Sequence, residues 1–350
     1  MKRALLLLSC IVLAIGNCGG PQIMRLYFVH GGKRVWLSSW VQTAGWPIML
    51  IPLAVAYLRR RRTTQPTSEP INPTFFVKPH TFFLAASLGL IVGLDNYIYA
   101  YGVAWLPVST SSLILSTQLA FIAVFAFLLV KQKFTPYSIN AVVVLTIGAS
   151  ILALHTNGDR PENVSYRQYI VGFMMTVGAA VLYGFVLPSS ELIFMKSSQK
   201  VTYALTIQMQ IVMCMFATAF CSIGMLVDND FKAISREAKH YELGEEKYYV
   251  VIISSMMIWQ CYFTGAIGVV FTASSLLSGI IVNVLLPVTE VLSVIFFREK
   301  FQSEKVVALV LSLWGFISYF YGEIKHGKNR KLQTQKTEQA VPAGTLSNNP

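Results

Sequence analysis

The chain has 350 residues and a formal net charge of +12, with 54% of its residues hydrophobic and 13% charged. A mean hydropathy of +0.56 leaves too little polar surface to cover a soluble domain of this length, so the composition indicates an integral membrane protein. The positive charge does not suggest nucleic-acid binding, because the basic residues gather at the ends of apolar segments, notably RRRR at 59–62 and KHGKNRK from 325.

Apolar blocks of roughly 20 residues, the length that crosses ~30 Å of hydrocarbon as helix, recur along the chain. Ten are found, at about 4–24, 36–58, 81–105, 111–130, 137–155, 167–194, 202–227, 249–270, 276–297 and 304–323. The first resembles a signal peptide, with Lys2 and Arg3 before LLLL and small residues in GNCGG behind. Its removal would leave nine spans and break the repeat described below, so it reads as a retained helix. After the second span, TTQPTSEPINPT at 63–74 is a Pro/Ser/Thr-rich linker. Asn163-Val-Ser165, before the sixth span, is a glycosylation sequon close to the membrane. The charged stretch 228–247 places Phe231, Ile234, Ala238 and Tyr241 at helical spacing. It fits a short amphipathic helix on the membrane surface or a solvated loop, with the loop preferred. The tail after 324 is polar and reads as mobile.

An N-terminus in the cytosol puts 16 Lys/Arg on the cytosolic side and 12 on the other. Four of those 12 lie beside six acids in the 228–248 loop, so the bias places both termini in the cytosol. Cys10, Cys18, Cys214, Cys221 and Cys261 all fall in the spans. They show no CxxC spacing or extracellular framework and read as small apolar filler.

The chain also repeats itself. KFTPYSINAVVVLTIG at 133–148 aligns with KFQSEKVVALVLSLWG at 300–315, a separation of 167 that also places Pro21 over Pro188. A shift of 166 pairs Gln42 with Gln208 and Gly102-Val103 with Gly268-Val269, and Ser111-Ser112-Leu113 meets Ser274-Ser275-Leu276 with a small gap. Each copy holds five spans. An odd number forces the second to enter from the opposite face, so the expected fold is all-α: ten transmembrane helices as two inverted five-helix repeats. The repeats would cover 1–155 and 156–323, with 324–350 as the tail, and a substrate site is expected near the midplane between them.

Several spans carry residues unusual in hydrocarbon. Asp95 lies near the centre of LGLIVGLDNYIYAYGVAW at 88–105, and no Lys, Arg or His lies near the centre of any span to pair with it. Such a carboxyl is a structural partner for a polar group on another helix, or it is protonated or in a wet cavity, as a proton carrier would be. On a helix it shares a face with Tyr99 and Gly102, apart from the stripe Tyr97, Tyr101 and Trp105. Glu290 is the second candidate, on the face of Asn283, whereas Glu191 reads as interfacial. Proline removes the hydrogen bond to the carbonyl four residues earlier, so Pro21, Pro188 and Pro287 mark helix breaks, and Pro21 and Pro287 free carbonyls of asparagines, Asn17 and Asn283. Amides at Gln42, Asn96, Gln208 and Gln260, with Tyr99 and Trp259, suit a flat neutral heterocycle read along its edge and stacked on its face, although each amide singly also serves as glue between helices. Deep cations are missing, which argues against phosphate or sulfate. No HExxH, GxSxG, P-loop or GxGD motif is present, so an enzyme is not expected, and no cofactor or metal is implied.

GGPQIMRLYFVHGGKRVWLSSWVQTAGWPIMLIPL at 19–53, TASSLLSGIIVNVLLPVTEVLSVIFFREKFQSEK at 272–305 and LSLWGFISYFYGEIK at 311–325 closely resemble the plant purine permeases, and PVTEVLSVIFFREKF resembles a span end typical of the wider drug/metabolite transporter superfamily. The resemblance runs from the first span to about residue 325. It implies a ten-helix inverted-repeat transporter of adenine, cytokinins and other purine derivatives, alkaloids or vitamin B6-like heterocycles, generally by proton-coupled uptake. The combined expectation is a plasma-membrane importer in which Asp95, or secondarily Glu290, takes the proton while Asn17, Gln42, Gln208, Gln260 and Asn283 orient the ring and Tyr99 and Trp259 stack on it. Its partners would be protons, a small heterocycle and the bilayer. Exchange of metabolites, as in related translocators, and a non-transporting membrane receptor are the alternatives.

Overall fold

Capping chemistry and glycine contacts decide where the helices of this chain begin and how closely they approach. The protein is described by a computed structural model over residues 2–63, 77–105, 114–115, 117–154, 165–197, 202–297, 306–307, 310–311, 313–322 and 324–325. Among the described residues all regular structure is helical: α1 (Lys2–Val29), α2 (Val35–Ala44), α3 (Leu50–Thr63), α4 (Pro79–Trp105), α5 (Gln118–Phe125), α6 (Pro136–Leu154), α7 (Tyr166–Lys196), α8 (Tyr203–Val227), α9 (Asp230–Lys239), α10 (Glu245–Thr272) and α11 (Ser275–Phe297). A final stretch is helical over 313–322.

Six helical stretches, Arg3–Val29, Val35–Leu58 (α2, the turn after it and the start of α3), Pro79–Gly102, Tyr166–Lys196, Tyr203–Val227 and Glu245–Thr272, are long and apolar enough to cross a membrane. Gln118–Val130, Pro136–Ile147 and Ser275–Thr289 are shorter apolar helices. The start of α7 shows why boundaries fall where they do. Ser165 Oγ accepts from the Gln168 backbone N–H at 3.3 Å and Gln168 Oε1 accepts from the Ser165 N–H at 3.0 Å, a reciprocal capping box. The linker at 64–74, the sequon at Asn163 and the tail from 326 lie outside the described residues.

Three expectations change. The second span is not one helix: after Gly45 the chain passes through a 3₁₀ turn, Trp46–Met49, before α3. Pro47 opens that turn, where its missing N–H costs nothing. By contrast Pro21, Pro188 and Pro287 sit inside continuous helices. They are not breaks, because neighbouring turns carry the helix past the one missing bond. Third, the centre of the 228–247 stretch is a short amphipathic helix rather than the preferred solvated loop. This is α9, which packs onto the protein with Asp230, Ala233 and Ala238 buried.

Charge holds α9 down. Arg34, in the turn between α1 and α2, donates to Asp230 Oδ1 at 3.0 Å and stands 3.6 Å from Glu237 Oε2. Glu237 Oε1 also accepts from the Tyr27 hydroxyl at 2.5 Å and from Tyr248 at 3.2 Å. Burial pushes the Asp230 carboxyl above its ordinary value, while the Arg34 guanidinium pulls it back part of the way. Beneath these charges lies an apolar cluster of Tyr27, Leu37, Val41, Met225, Tyr241 and Tyr248.

Elsewhere the helices meet through small residues. α1 runs along α10, where a Cβ on Gly16 would overlap the Tyr262 backbone, one on Gly265 would overlap Leu13, and one on Gly268 would come 2.5 Å from Ser9 Oγ. α4 packs along α7 in the same way, a Cβ on Gly102 overlapping Thr176. The last stretch packs on α6, where Asn140 Nδ2 donates to Ser318 Oγ at 2.9 Å.

Gly16→Ala forces the α1 and α10 backbones apart and should destabilise the detergent-solubilised protein by about 2 kcal/mol, the cost typical of overpacking, seen as a lower Tm. Arg34→Ala leaves Asp230 and Glu237 without their counter-charge. Arg34 is 39% exposed, so the expected loss is about 1–2 kcal/mol, below that of a fully buried pair. Hydrogen exchange across α9 should accelerate roughly tenfold, with exchange in α4 unchanged.

Candidate functional site

A cavity that encloses about 740 Å³ of empty space, its open mouth included, lies among the helices. α1 contributes Asn17 and Pro21, α2 contributes Gln42, and α4 contributes Asp95, Asn96 and Tyr99. Leu115 and Gln118 enter from the start of α5, and Ala179 and Tyr183 from α7. Trp259, Tyr262 and Phe263 come from α10, and Val282, Leu286 and Thr289 from α11. No lysine, arginine or histidine lines it, and Asp95 is its one acid among the described residues.

The polar residues of the wall are deeply buried: Asp95 is 8% exposed, Asn96 4% and Trp259 6%. Asp95 Oδ1, Asn96 Nδ2 and the Trp259 indole nitrogen are three of ten buried side-chain polar atoms that lack a hydrogen-bond partner among the described residues. Buried polar atoms are nearly always paired, so three exceptions on residues that line one cavity call for an explanation. Other wall groups are engaged. Asn17 Nδ2 donates to Val282 O at 3.4 Å, Gln42 Nε2 donates to Ser38 O at 3.3 Å, and the Tyr262 hydroxyl donates to that of Tyr183. Tyr262 stands edge-on to Trp259, with centroids 5.4 Å apart and planes at 80°, the arrangement ring quadrupoles favour.

Of the residues singled out from sequence, Asn17, Pro21, Gln42, Asp95, Asn96, Tyr99 and Trp259 come together here. Gln208, Gln260, Asn283, Pro188 and Pro287 do not line the cavity. Gln260 Nε2 instead donates to Thr43 O at 3.0 Å, joining α10 to α2, and Asn283 Nδ2 donates within its own helix to Gly279 O at 3.1 Å. Glu290 follows the wall residue Thr289 on α11, but its side chain lies outside the described residues. Glu191, read from sequence as interfacial, has its Oε2 accept from the Ser275 N–H at 2.7 Å at the start of α11.

Helical periodicity separates the residues found from those missed. Trp259, Tyr262 and Phe263 fall at i, i+3 and i+4, one face of α10, and Gln260 is a further ~100° round. On α11, Val282, Leu286 and Thr289 form such a face and Asn283 sits beside it. Choosing by residue type picked the amide next to the wall residue, whereas the period picks the wall. Gln118 carried the same signal as the other amides within spans, and only Tyr183 had no flag in the sequence beyond being aromatic.

A buried cavity with unspent polar atoms, enclosed by apolar helices, is the architecture of a membrane transport protein. The chain belongs to the purine permease family: the family model for purine nucleobase transmembrane transport matches residues 4–329. Purine permease 3 of Arabidopsis thaliana is 51% identical over 99% of this chain and 98% of its own length, and purine permease 2 is 52% identical over 97% of each. Purine permease 21 of the same plant is 35% identical over 89% of this chain and 78% of its own. A crystal structure 12% identical in sequence shares the fold, with a TM-score of 0.64 over 91% of this chain and 99% of that one. Family membership assigns the protein to purine nucleobase transport across membranes, and its relatives are permeases rather than enzymes.

Trp259→Phe keeps the aromatic packing and deletes the unpartnered indole N–H. It should raise the KM for nucleobase uptake by roughly 5–20-fold, the worth of a buried hydrogen bond, with maximal velocity within about twofold of wild type.

Proposed function

We propose that the protein is a proton-coupled importer of purine-like heterocycles (adenine, cytokinins or related alkaloids) at the plasma membrane, with both termini cytosolic. In this reading ten helices form two inverted repeats, 1–155 and 156–323, followed by the tail 324–350. Repeat-related contacts support it. Ser9 against Gly268 in α1 and α10 corresponds, 167 and 166 residues away, to Thr176 against Gly102 in α7 and α4. Each half thus docks its first helix on the third helix of the other half, as an inverted pair requires.

The observation that carries the mechanism is the Asp95 carboxyl, buried on the wall of a cavity with no cation in its lining. A charge so placed is costly unless it is neutralised or wetted. A proton from the outer side neutralises Asp95 and lowers the cost of closing the cavity around a bound ring. The halves then rock, the cavity meets the inner solution, and ring and proton leave together. Glu290, beside Thr289, is the secondary candidate for the proton. The lining, without cations, favours a neutral ring over a phosphorylated substrate, and Tyr99, Tyr183, Tyr262 and Phe263 offer faces for stacking.

Asp95→Asn keeps shape and removes the titrating group. In proteoliposomes with an imposed inward proton gradient, wild type should accumulate labelled adenine above equilibrium. The variant should only equilibrate it, with counterflow retained. Full gradient-driven accumulation by the variant would remove Asp95 from the coupling step.

A further inference from the structure

We infer that the proton taken up by Asp95 is shared directly with the substrate: the neutral carboxyl donates a hydrogen bond to a ring nitrogen of the heterocycle, while the Asn96 amide and the Trp259 indole donate to further acceptors on the same molecule. The inference rests on the coupling role proposed above and specifies where the two cargoes meet. A transporter can link proton to substrate through a distant conformational change or through contact, and the wall favours contact.

Three observations converge. Asp95, Asn96 and Trp259 line one cavity, each more than nine-tenths buried. Each presents a polar atom without a partner: Asp95 Oδ1, Asn96 Nδ2 and the Trp259 indole nitrogen. Two of the three are donors, and the third becomes part of a donor group when the carboxyl carries a proton. An empty wall of this kind is satisfied by a ligand whose edge is rich in acceptors, which is what the in-plane lone pairs of an azine or azole ring supply. Ionised Asp95 would instead point a negative charge at those lone pairs. Substrate and proton therefore bind cooperatively through one hydrogen bond, and by linkage each raises the other's affinity by the same factor.

The groups around Asp95 permit this. Tyr99 follows one turn later on α4, Tyr183 faces from α7 and Tyr262 from α10, and Tyr183 and Tyr262 are engaged with each other. On the α8 side the Cys221 thiol contacts Gly93 O at 3.8 Å. Glu290 follows the wall residue Thr289 in the sequence of α11. No lysine, arginine or histidine in the cavity lining competes for the carboxyl.

Equilibrium binding of adenine, and of adenine analogues with one ring nitrogen at a time replaced by C–H, tests the inference on purified protein between pH 5 and 9. For wild type at acid pH, one analogue should bind about tenfold more weakly than adenine, the expected loss for a buried donor left unpaired. That ratio should shrink toward one as pH rises and Asp95 ionises, and it should be near one at every pH in Asp95→Ala. In Asp95→Asn, whose amide still donates, discrimination should persist without pH dependence. This gives a second reading should the alanine variant fold poorly. An unchanged ratio for every analogue in both variants would overturn the shared hydrogen bond. If Asp95→Asn has also lost gradient-driven accumulation, the coupling role stands and only the direct contact falls. If accumulation survives in Asp95→Asn, the coupling role falls, and the shared proton with it.

Discussion

The arrangement depends on how closely α1 and α10 approach. In hydrocarbon, lipid tails are as apolar as leucine, so helices gain little from burying apolar side chains and associate mainly through backbone proximity and packing. Gly16, Gly265 and Gly268 provide this, each leaving room for only a hydrogen where it meets Tyr262, Leu13 or Ser9. One helical turn beyond Gly16, the face of α1 continues through Gly20, where a Cβ would come 3.0 Å from the Trp259 ring. The contact that binds the helices also sets the indole, so Trp259 is placed by backbone rather than by a hydrogen bond of its own and its N–H remains available.

A similar glycine contact joins α4 and α7, but not all cavity residues follow the 166–167-residue spacing seen in the sequence. On the 166-residue shift Asp95 aligns with Cys261 and Asn96 with Tyr262, and on the 167 shift Gly16 aligns with Tyr183. Gly16 allows a close helix approach, whereas Tyr183 lines the cavity. Ser9 and Gly268 have small counterparts in Thr176 and Gly102, and Pro21 and Gln42 on the wall recur as Pro188 and Gln208, whereas Asp95 and Asn96 do not recur.

Much of this was legible in the sequence, for identifiable reasons. The apolar blocks mark the helices because the hydrocarbon thickness sets a length, and an acid in mid-span was visible because its cost is high anywhere in a membrane. Breaks were harder to read. A proline inside a long helix removes one bond and little else, so Pro21, Pro188 and Pro287 were poor guides, while Pro47 mattered because it coincides with Gly45 and a change of helix type. The amides divide according to partners that no composition reveals: Thr43 O is within reach of Gln260 and not of Gln42. Docking of α9 depended on Arg34, nearly two hundred residues away, and the charge density that favoured a loop is the same charge that forms its ion pairs.

Polar groups are thus handled in opposite ways at two levels of the molecule. At the α9 end, Arg34, Asp230, Glu237, Tyr27 and Tyr248 satisfy one another, joining the turn after α1 to the segment between α8 and α10. A network in which each member pairs with several others resists opening, because removing one leaves partly buried groups without partners. At the cavity, Asp95 Oδ1, Asn96 Nδ2 and the Trp259 indole nitrogen have no partner among the described residues, a costly arrangement held beside the glycine contacts of α1 with α10. A ligand that completes those hydrogen bonds releases the stored cost on binding, which means that the energy for recognising a neutral ring is built into the empty protein. A cavity already satisfied internally would have to break its own bonds before holding the substrate, and would discriminate less between a ring with acceptors and one without.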